Sequence, residues 1–235
     1  MTDPSSTLRH GKVDGVLSFG HKAWEVREQW YPELPFVLLM HPKPDTDFVA
    51  CDDYGGVRMA VEHLLALGHR RIGYIVDTRE SDLSVLLRIR GYEDALAAAG
   101  IERRPDWLRS LDPEHYYFRP RGYGSMRQWL RDKWRETGCT ALLAQNDLVA
   151  IGAMQALREA GLRVPEDVSL VGFDSGYECE SVRPRLTSVH APLAEIGGAA
   201  VELLLRRIAG GASKPQSIVM PMRLDIREST APPCG

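Results

Sequence analysis

The feature that most constrains the fold is the stretch at residues 139–176, where apolar runs flank one amphipathic segment. The runs at residues 141–144 and 168–173 are short and almost wholly apolar, which is typical of strands buried on both faces. Between them, apolar residues recur at helical spacing as far as Gly161, which is placed to end a helix. A strand, a helix and a second strand in this order predict two parallel strands of one α/β sheet.

Polar residues follow both of these predicted strands. Asn146 comes two residues after the first strand, and Asp174 comes directly after the second. The carboxyl ends of parallel strands meet at one edge of a sheet, and open α/β sheets bind their ligands at that edge. We therefore expect Asn146 and Asp174 at a shared binding edge, and we expect Asp147 to cap the helix that follows it.

The rest of the chain repeats this alternation. Further strands are predicted at residues 13–19, 36–40, 49–51, 72–76 and 107–111, and a period-two pattern predicts one strand over 218–226. Helices are predicted at residues 52–68, 85–100, 122–136 and 193–209, with a surface helix at 21–30. Alternating strands and helices indicate parallel α/β sheets, and 235 residues suffice for one large domain or two lobes.

Composition excludes several classes of protein. The net charge is −3 and the sequence pI is about 6.2, whereas nucleic-acid-binding domains usually have a pI above about 9. The four cysteines are scattered, which favours free thiols in a reducing compartment. No stretch resembles a secretory signal or a membrane span, so a cytoplasmic protein is expected. Dinucleotide, esterase and metalloprotease motifs are absent from the sequence, so neither a cofactor nor a metal is expected.

Several motifs carry a resemblance to a known family. The segment AQNDLVAIGAMQALREAGLRVPEDVSLVGFD at residues 144–174 resembles the signature of the LacI/GalR family of bacterial transcriptional regulators. The supporting motifs stand in the family's order: VDGV at 13–16, VEHL to LGHRRI at 61–72, RIRGY at 88–92, PRLTSV at 184–189 and IREST at 226–230. Six ordered motifs are far more specific than one, and together they cover about residues 13–230.

The resemblance implies an α/β fold of two lobes, similar to periplasmic binding proteins, with parallel sheets and an incomplete N-terminal lobe. Residues 1–51 and 191–220 would form that partial lobe. Residues 52–190 and 221–230 would form the C-terminal lobe, and residues 231–235 a tail. The family's helix-turn-helix and the first strand, first helix and second strand of its core have no counterpart here. A fragment or a truncated gene product with a defective N-terminal lobe is therefore expected.

The resemblance also implies ligand-binding residues. Arg88 stands three residues before Gly91, where the family places a ligand-binding arginine, and its rigid fork of donors suits a diol or a carboxylate. Asn146 can donate and accept hydrogen bonds, and Asp174 can accept two from neighbouring hydroxyls. From spacing alone, a solvated charge at Arg88 and ordinary turn residues at the other two positions are the alternatives.

By the same resemblance, an aromatic residue five positions before Gly122 would stack on the ligand. That residue is Tyr117, although Tyr116 and Phe118 compete for the role, and a core aromatic is the alternative. Three further residues fall on pocket positions by the same resemblance: Ser84, Leu193 and Ile196.

The favoured hypothesis is the effector-sensing domain of a LacI/GalR-type regulator, which is not an enzyme. It would close around a small polar ligand, a sugar or a related metabolite, and shift a homodimer between two arrangements. DNA would be bound only through a helix-turn-helix that this chain does not contain. The alternatives are a periplasmic-type sugar-binding protein of a transporter and a small-molecule enzyme on a doubly wound sheet. Fold alone does not choose among them.

Overall fold

The computed structural model describes residues 13–19, 25, 28–29, 31–78, 83–210 and 214–234. The surface helix predicted at residues 21–30 lies largely outside these residues. The chain divides into two compact units. The first unit consists of the described residues of Met1–Asp52, Asp82–Ser84 and Pro192–Pro221, and the second of those of Asp53–Ser81, Val85–Ala191 and Met222–Gly235.

Strands and helices alternate along most of the described chain. The strands are β1 (Val16–Ser18), β2 (Phe36–Leu39), β3 (Phe48–Cys51), β4 (Ile72–Ile75), β5 (Leu108–Arg109), β6 (Ala141–Ala144), β7 (Ser169–Asp174), β8 (Thr187–His190), β9 (Ser217–Met220) and β10 (Arg223–Asp225). The helices are α1 (Asp53–Ala66), α2 (Leu83–Ala98), α3 (Phe118–Asp132), α4 (Trp134–Thr137), α5 (Asp147–Glu159), α6 (Glu178–Ser181) and α7 (Leu193–Ile208). None of the helices in the described part of the chain is long and apolar enough to cross a membrane.

The first unit contains a four-stranded sheet in the order β1-β2-β3-β9, with all neighbouring strands parallel. Strands β2 and β3 are fully buried, as their apolar sequences require. Helix α7 packs on them and buries Ile196, Ala200 and Leu203. Arg207 holds the Asp47 carboxylate with two hydrogen bonds of 2.8 and 2.7 Å, which fixes the end of this helix to the turn before β3.

The second unit contains a six-stranded sheet in the order β10-β8-β7-β6-β4-β5. All pairs are parallel except β10 with β8. Strands β4 and β6 are buried along their whole length, and β7 is buried up to its last residue. The fold class predicted from the alternation of strands and helices, an α/β fold with parallel sheets, is therefore confirmed.

Three predicted elements differ from the structure. The strand expected at 107–111 is reduced to the two residues of β5, because a 3-10 helix occupies Pro105–Trp107. The helix expected at 122–136 begins earlier, at Phe118, and breaks at Lys133 between α3 and α4. The single strand expected at 218–226 is two strands in different sheets, separated by Pro221, which cannot donate a ladder hydrogen bond.

Glycine serves two distinct purposes around α5. Gly161 ends this helix as predicted, with a φ of 79°, a left-handed conformation that glycine adopts without strain. Gly152, in the middle of α5, lets the backbone of α3 come close instead. A Cβ atom at this position would lie 2.1 Å from the Arg119 carbonyl oxygen. On α3, a Cβ atom at Gly122 would lie 2.2 Å from the Val149 carbonyl oxygen. Helices α3 and α5 are thus in backbone contact.

The last residues of the chain close the amino edge of the second sheet. The Ser229 hydroxyl donates to the Leu170 carbonyl at 2.6 Å and accepts from the Thr187 amide at 2.8 Å. The ring of His69, which is 1% exposed, contacts the Thr140 hydroxyl at 2.8 Å and the Ala231 carbonyl at 2.9 Å. Burial lowers the pKa of His69, although the Ala231 carbonyl opposes this shift.

Candidate ligand-binding site

The three central strands of the second sheet deliver polar residues to one edge. Strands β4 and β6 end in register, with Ile75 beside Ala144, and β7 runs parallel beside β6. Asp77 follows β4, Gln145 and Asn146 follow β6, and Asp174 ends β7. The carboxyl edge of a parallel sheet is the usual place for a ligand, so the sheet itself assembles the predicted site residues Asn146 and Asp174.

Arg88 reaches this edge from α2. Its Nε atom lies 2.6 Å from Asp53 Oδ1, and its Nη1 atom donates to the Gln145 carbonyl at 2.8 Å. The guanidinium carbon lies 3.8 Å from the centre of the Phe173 ring, within the range of a cation–π contact. The Asp53 side chain is 1% exposed and that of Arg88 is 12% exposed. Arg88 is therefore not the solvated charge that spacing alone allowed.

Asp174 is held in an unusual backbone conformation. Its φ is 101°, and Ser175 follows with a φ of 55°, whereas residues other than glycine rarely adopt positive values. Burial raises the pKa of Asp174 to about 7; Arg88 opposes this shift, and the nearby carboxylates of Asp147 and Asp53 add to it. Strained residues persist where the surrounding structure holds them, often at ligand sites.

Asn146 and Asp147 divide their roles differently from the prediction. Asn146 is the N-cap of α5, since its Oδ1 atom accepts from the Val149 amide at 2.9 Å. Asp147, which was expected to be the cap, instead accepts from the Ser188 hydroxyl at 2.5 Å and the Gly176 amide at 2.8 Å. Burial raises the pKa of Asp147, and these two hydrogen bonds work against that shift. The capping prediction for Asp147 is therefore wrong.

A second buried ion pair lies at the same edge. Arg121, near the start of α3, bonds to Asp77, and the two side chains are 13% and 5% exposed. The Gln145 side chain accepts from the Asp77 amide at 2.6 Å, while the Gln145 carbonyl accepts from Arg88. Gln145 thus touches both ion pairs and fixes their relative positions.

The remaining predicted residues lie in different surroundings. Tyr117 is the N-cap residue of α3, is 72% exposed and meets Tyr116 edge to face, with ring centroids 5.3 Å apart. Ser84, Leu193 and Ile196 belong to the first unit. Ser84 donates to the Met40 carbonyl at 3.2 Å, Leu193 is 56% exposed and Ile196 is 2% exposed. Their roles toward a ligand stay predictions.

Sequence reasoning did not anticipate Asp53, Gln145 or Tyr74 as members of this cluster. Tyr74 is fully buried in β4, and no described residue forms a hydrogen bond with its hydroxyl group. Arg88 and Asp53 lie close enough for their charges to act on its pKa, which burial raises strongly. A tyrosine inside the apolar run IGYI was the signal that could have identified it.

The fold and this edge define a periplasmic-binding-protein-like core, and comparison with known proteins agrees. The family model described as periplasmic binding protein-like domain matches residues 61–230. The chain is 34% identical over 230 residues to the HTH-type transcriptional repressor PurR of Mannheimia succiniciproducens, covering 94% of this chain and 66% of the relative. It is 34% identical over 223 residues to the HTH-type transcriptional regulator CelR of Thermobifida fusca, covering 92% and 63%.

Solved structures place the chain in the same group. A CelR–cellobiose complex superposes with a TM-score of 0.85 at 31% identity, covering 96% of this chain and 68% of that one. A LacI family regulator from Enterococcus faecium with bound ribose superposes with a TM-score of 0.83 at 30% identity, covering 97% and 82%. The chain belongs to the LacI family of transcriptional regulators and covers their effector-binding core. It spans about two thirds of the length of these curated relatives.

Proposed function

We propose that this chain is the effector-sensing core of a LacI-type regulator and that a small polar ligand, a sugar or related metabolite, binds at the carboxyl edge of the second sheet. In the complete protein, binding would alter the affinity of a helix-turn-helix for operator DNA, with the cores paired as a homodimer in the cytoplasm. The observation that carries this proposal is the placement of Arg88, Asn146 and Asp174 on one edge.

The chemistry of the three side chains supports a hydroxyl-rich ligand. Asp174 offers a carboxylate that can accept two hydrogen bonds, and Arg88 offers donors in a rigid plane. The oxygen of the Asn146 side chain caps α5, and its NH2 group can donate a hydrogen bond to a third hydroxyl group. The relatives support a regulator over a transporter component or an enzyme, because those compared are transcriptional regulators and two of the solved structures hold sugars.

Titration calorimetry with a panel of monosaccharides, disaccharides and nucleobases tests the proposal. We expect one class of compound to bind, and Asp174→Asn to weaken its binding by about 10- to 100-fold, because hydrogen bonds to charged groups contribute about 1.5–3 kcal/mol. The matched control is Glu136→Gln, which changes an exposed side chain on α4. Unchanged affinity in Asp174→Asn, or equal losses in both variants, would refute the assignment.

A further inference from the structure

The segment that ends β7 has two consecutive residues in a left-handed conformation, and neither of them is glycine. Asp174 has a φ of 101° and Ser175 has a φ of 55°. This conformation is unfavourable for residues with a Cβ atom, so it persists only where other contacts hold it. Since the direction of a side chain follows the backbone dihedrals of its residue, the contacts that hold this segment also set the direction of the Asp174 carboxylate.

Two successive amide groups of this segment donate to a buried pair of side chains, Asp147 and Ser188, here called the Asp147–Ser188 pair. The Ser175 amide donates to Ser188 Oγ at 3.1 Å, and the Gly176 amide donates to Asp147 Oδ2 at 2.8 Å. The Ser188 hydroxyl donates in turn to Asp147 Oδ1 at 2.5 Å. Asp147 is 4% exposed and Ser188 is fully buried. The pair therefore fixes the peptide groups on both sides of Ser175 from within the core.

Gly172 provides the space for this pair. It lies opposite Ser188 in the ladder between β7 and β8. A Cβ atom at Gly172 would overlap Asp147 Oδ1 and would lie 3.3 Å from Ser188 Oγ. A glycine inside a strand often marks such a close approach. Its missing side chain allows a carboxylate from α5 to reach the turn that follows β7.

Asp147 has no capping role that would explain its burial. Asn146 already caps α5, because its Oδ1 atom accepts from the Val149 amide. Burial raises the pKa of Asp147, whereas the hydrogen bonds from Ser188 and Gly176 and the charge of Arg227 oppose this shift. The donors that orient the Asp147 carboxylate thus also favour its charged form.

The other contacts of Ser175 act on its side chain. The Ser175 hydroxyl donates to Asp225 Oδ2 at 2.7 Å and accepts from Arg227 Nη2 at 3.0 Å. These two contacts hold the hydroxyl group, but they do not engage the backbone amides of the segment. The left-handed backbone is therefore held by the Asp147–Ser188 pair.

From these contacts we infer that Asp147 is a positioning residue of the proposed ligand site, which acts through Ser188 and Gly176 to hold Asp174 in its left-handed conformation. Such a residue orients the ligand-binding carboxylate without touching the ligand itself. Without it, the segment would relax to negative φ, and the Asp174 side chain would take a different direction. This inference rests on the proposed function for the role of Asp174 and adds the residue that orients it.

Ser188→Ala breaks the pair without changing any charge. It removes the acceptor of the Ser175 amide and the donor to Asp147 Oδ1. The matched control is Ser169→Ala, which removes another fully buried serine hydroxyl from the same sheet, at the end of β7 opposite to Asp174. Thermal unfolding compares the stability of the two variants.

NMR spectroscopy of the isotope-labelled full chain supplies two measurements that a loss of stability alone does not change. A left-handed residue gives a strong NOE between its own amide and Hα protons, because these protons are close in that conformation. We expect strong NOEs at Asp174 and Ser175 in the wild type and in Ser169→Ala, and their loss in Ser188→Ala.

The second measurement is the titration of the Asp174 carboxyl carbon. Burial is the largest cause of the raised pKa of Asp174, about 7. In Ser188→Ala the carboxyl group should leave its present position, so its pKa should fall toward the ordinary value of about 4. In Ser169→Ala the pKa should stay raised.

Unchanged NOEs or an unchanged Asp174 titration in Ser188→Ala would overturn the inference, and so would equal changes in Ser169→Ala. If Ser188→Ala does not fold, the NOEs of Asp147→Asn decide, because its side-chain amide offers one acceptor to two donors. Strong NOEs in that variant would likewise overturn the inference. Neither measurement uses a ligand, so this failure is distinguishable from failure of the proposed function, which the calorimetric panel decides.

Discussion

Replacing Arg88 with methionine should destabilise the second unit severely, because it removes the cation that pairs with the buried Asp53 carboxylate. Asp53 is 1% exposed and lies 2.6 Å from Arg88 Nε. Removing one partner of a buried pair costs about 3–5 kcal/mol, a large share of the roughly 5–15 kcal/mol that stabilises a domain. Methionine retains a contact with the Phe173 ring worth about 0.3–1.5 kcal/mol, so the cation–π loss adds little. We expect a net loss of about 3–5 kcal/mol.

Two companion variants distinguish this explanation from a simple loss of packing. The double variant Asp53→Asn with Arg88→Met also removes the buried charge of Asp53, so it should be about 2 kcal/mol more stable than Arg88→Met alone, since a buried neutral group costs about 1–3 kcal/mol. The control Arg90→Met lies on the same helix, where Arg90 is 74% exposed and 3.5 Å from Asp94. An exposed pair of this kind contributes at most about 1 kcal/mol.

The assay must report on the second unit alone. Urea unfolding followed by pulsed hydrogen exchange of a peptide that covers β6 meets this need, because β6 is fully buried in that unit. A loss below about 1 kcal/mol in Arg88→Met would refute the reasoning. A double variant no more stable than the single one would refute it as well, because the cost would then not come from the buried charge of Asp53.

Three further predictions concern the helix contact, acid stability and DNA. Gly122→Ala should lower the free energy of unfolding by about 1–3 kcal/mol despite the better helix propensity of alanine, since the new Cβ would lie 2.2 Å from the Val149 carbonyl oxygen. Gly198 has open space around it, so Gly198→Ala should raise the free energy of unfolding by about 0.5–1 kcal/mol. Urea unfolding measures both variants. The lowered pKa of His69 makes a contribution to stability that is complete above about pH 6.5 and declines below it. The raised pKa of Asp174 changes stability in the opposite direction. The measurement is therefore the difference in free energy of unfolding between wild type and His69→Gln at pH 7.5 and at pH 5.5, and this difference should shrink on acidification. With a net charge of −3, the chain alone should give no gel shift that survives competitor DNA at physiological salt.

The strands that were predicted best from the sequence are those in which every residue is buried. Residues 141–144 were predicted as a strand, and β6 has the same bounds, because every side chain in it is buried. Residues 107–111 have mixed burial, and the first of them, Trp107, is the last residue of a 3-10 helix, so the apolar pattern could not define the strand there. Burial on both faces leaves a clear pattern in sequence, whereas a short edge strand does not.

The shared edge of the candidate site residues was predictable, but their pairing was not. The strand ends before Asn146 and at Asp174, together with the family resemblance at Arg88, indicated the carboxyl edge of the sheet. The partner of Arg88 is Asp53, 35 residues earlier, and the partner of Asp147 is Ser188, 41 residues later. Local rules treat an aspartate at a helix start as a cap. Only the tertiary fold, which brings distant donors to Asp147, reassigns that role to Asn146.

The anchoring of the C-terminal segment has a consequence for synthesis of the protein on the ribosome. Ser229 and Ala231 complete hydrogen bonds with Leu170, Thr187 and His69, so these groups at the amino edge of the second sheet lack those partners until residues 229–231 have been made. Domains generally fold as units during translation. The second unit can therefore assemble most of its strands early, but it reaches its final hydrogen bonding only after residues 229–231 have left the exit tunnel.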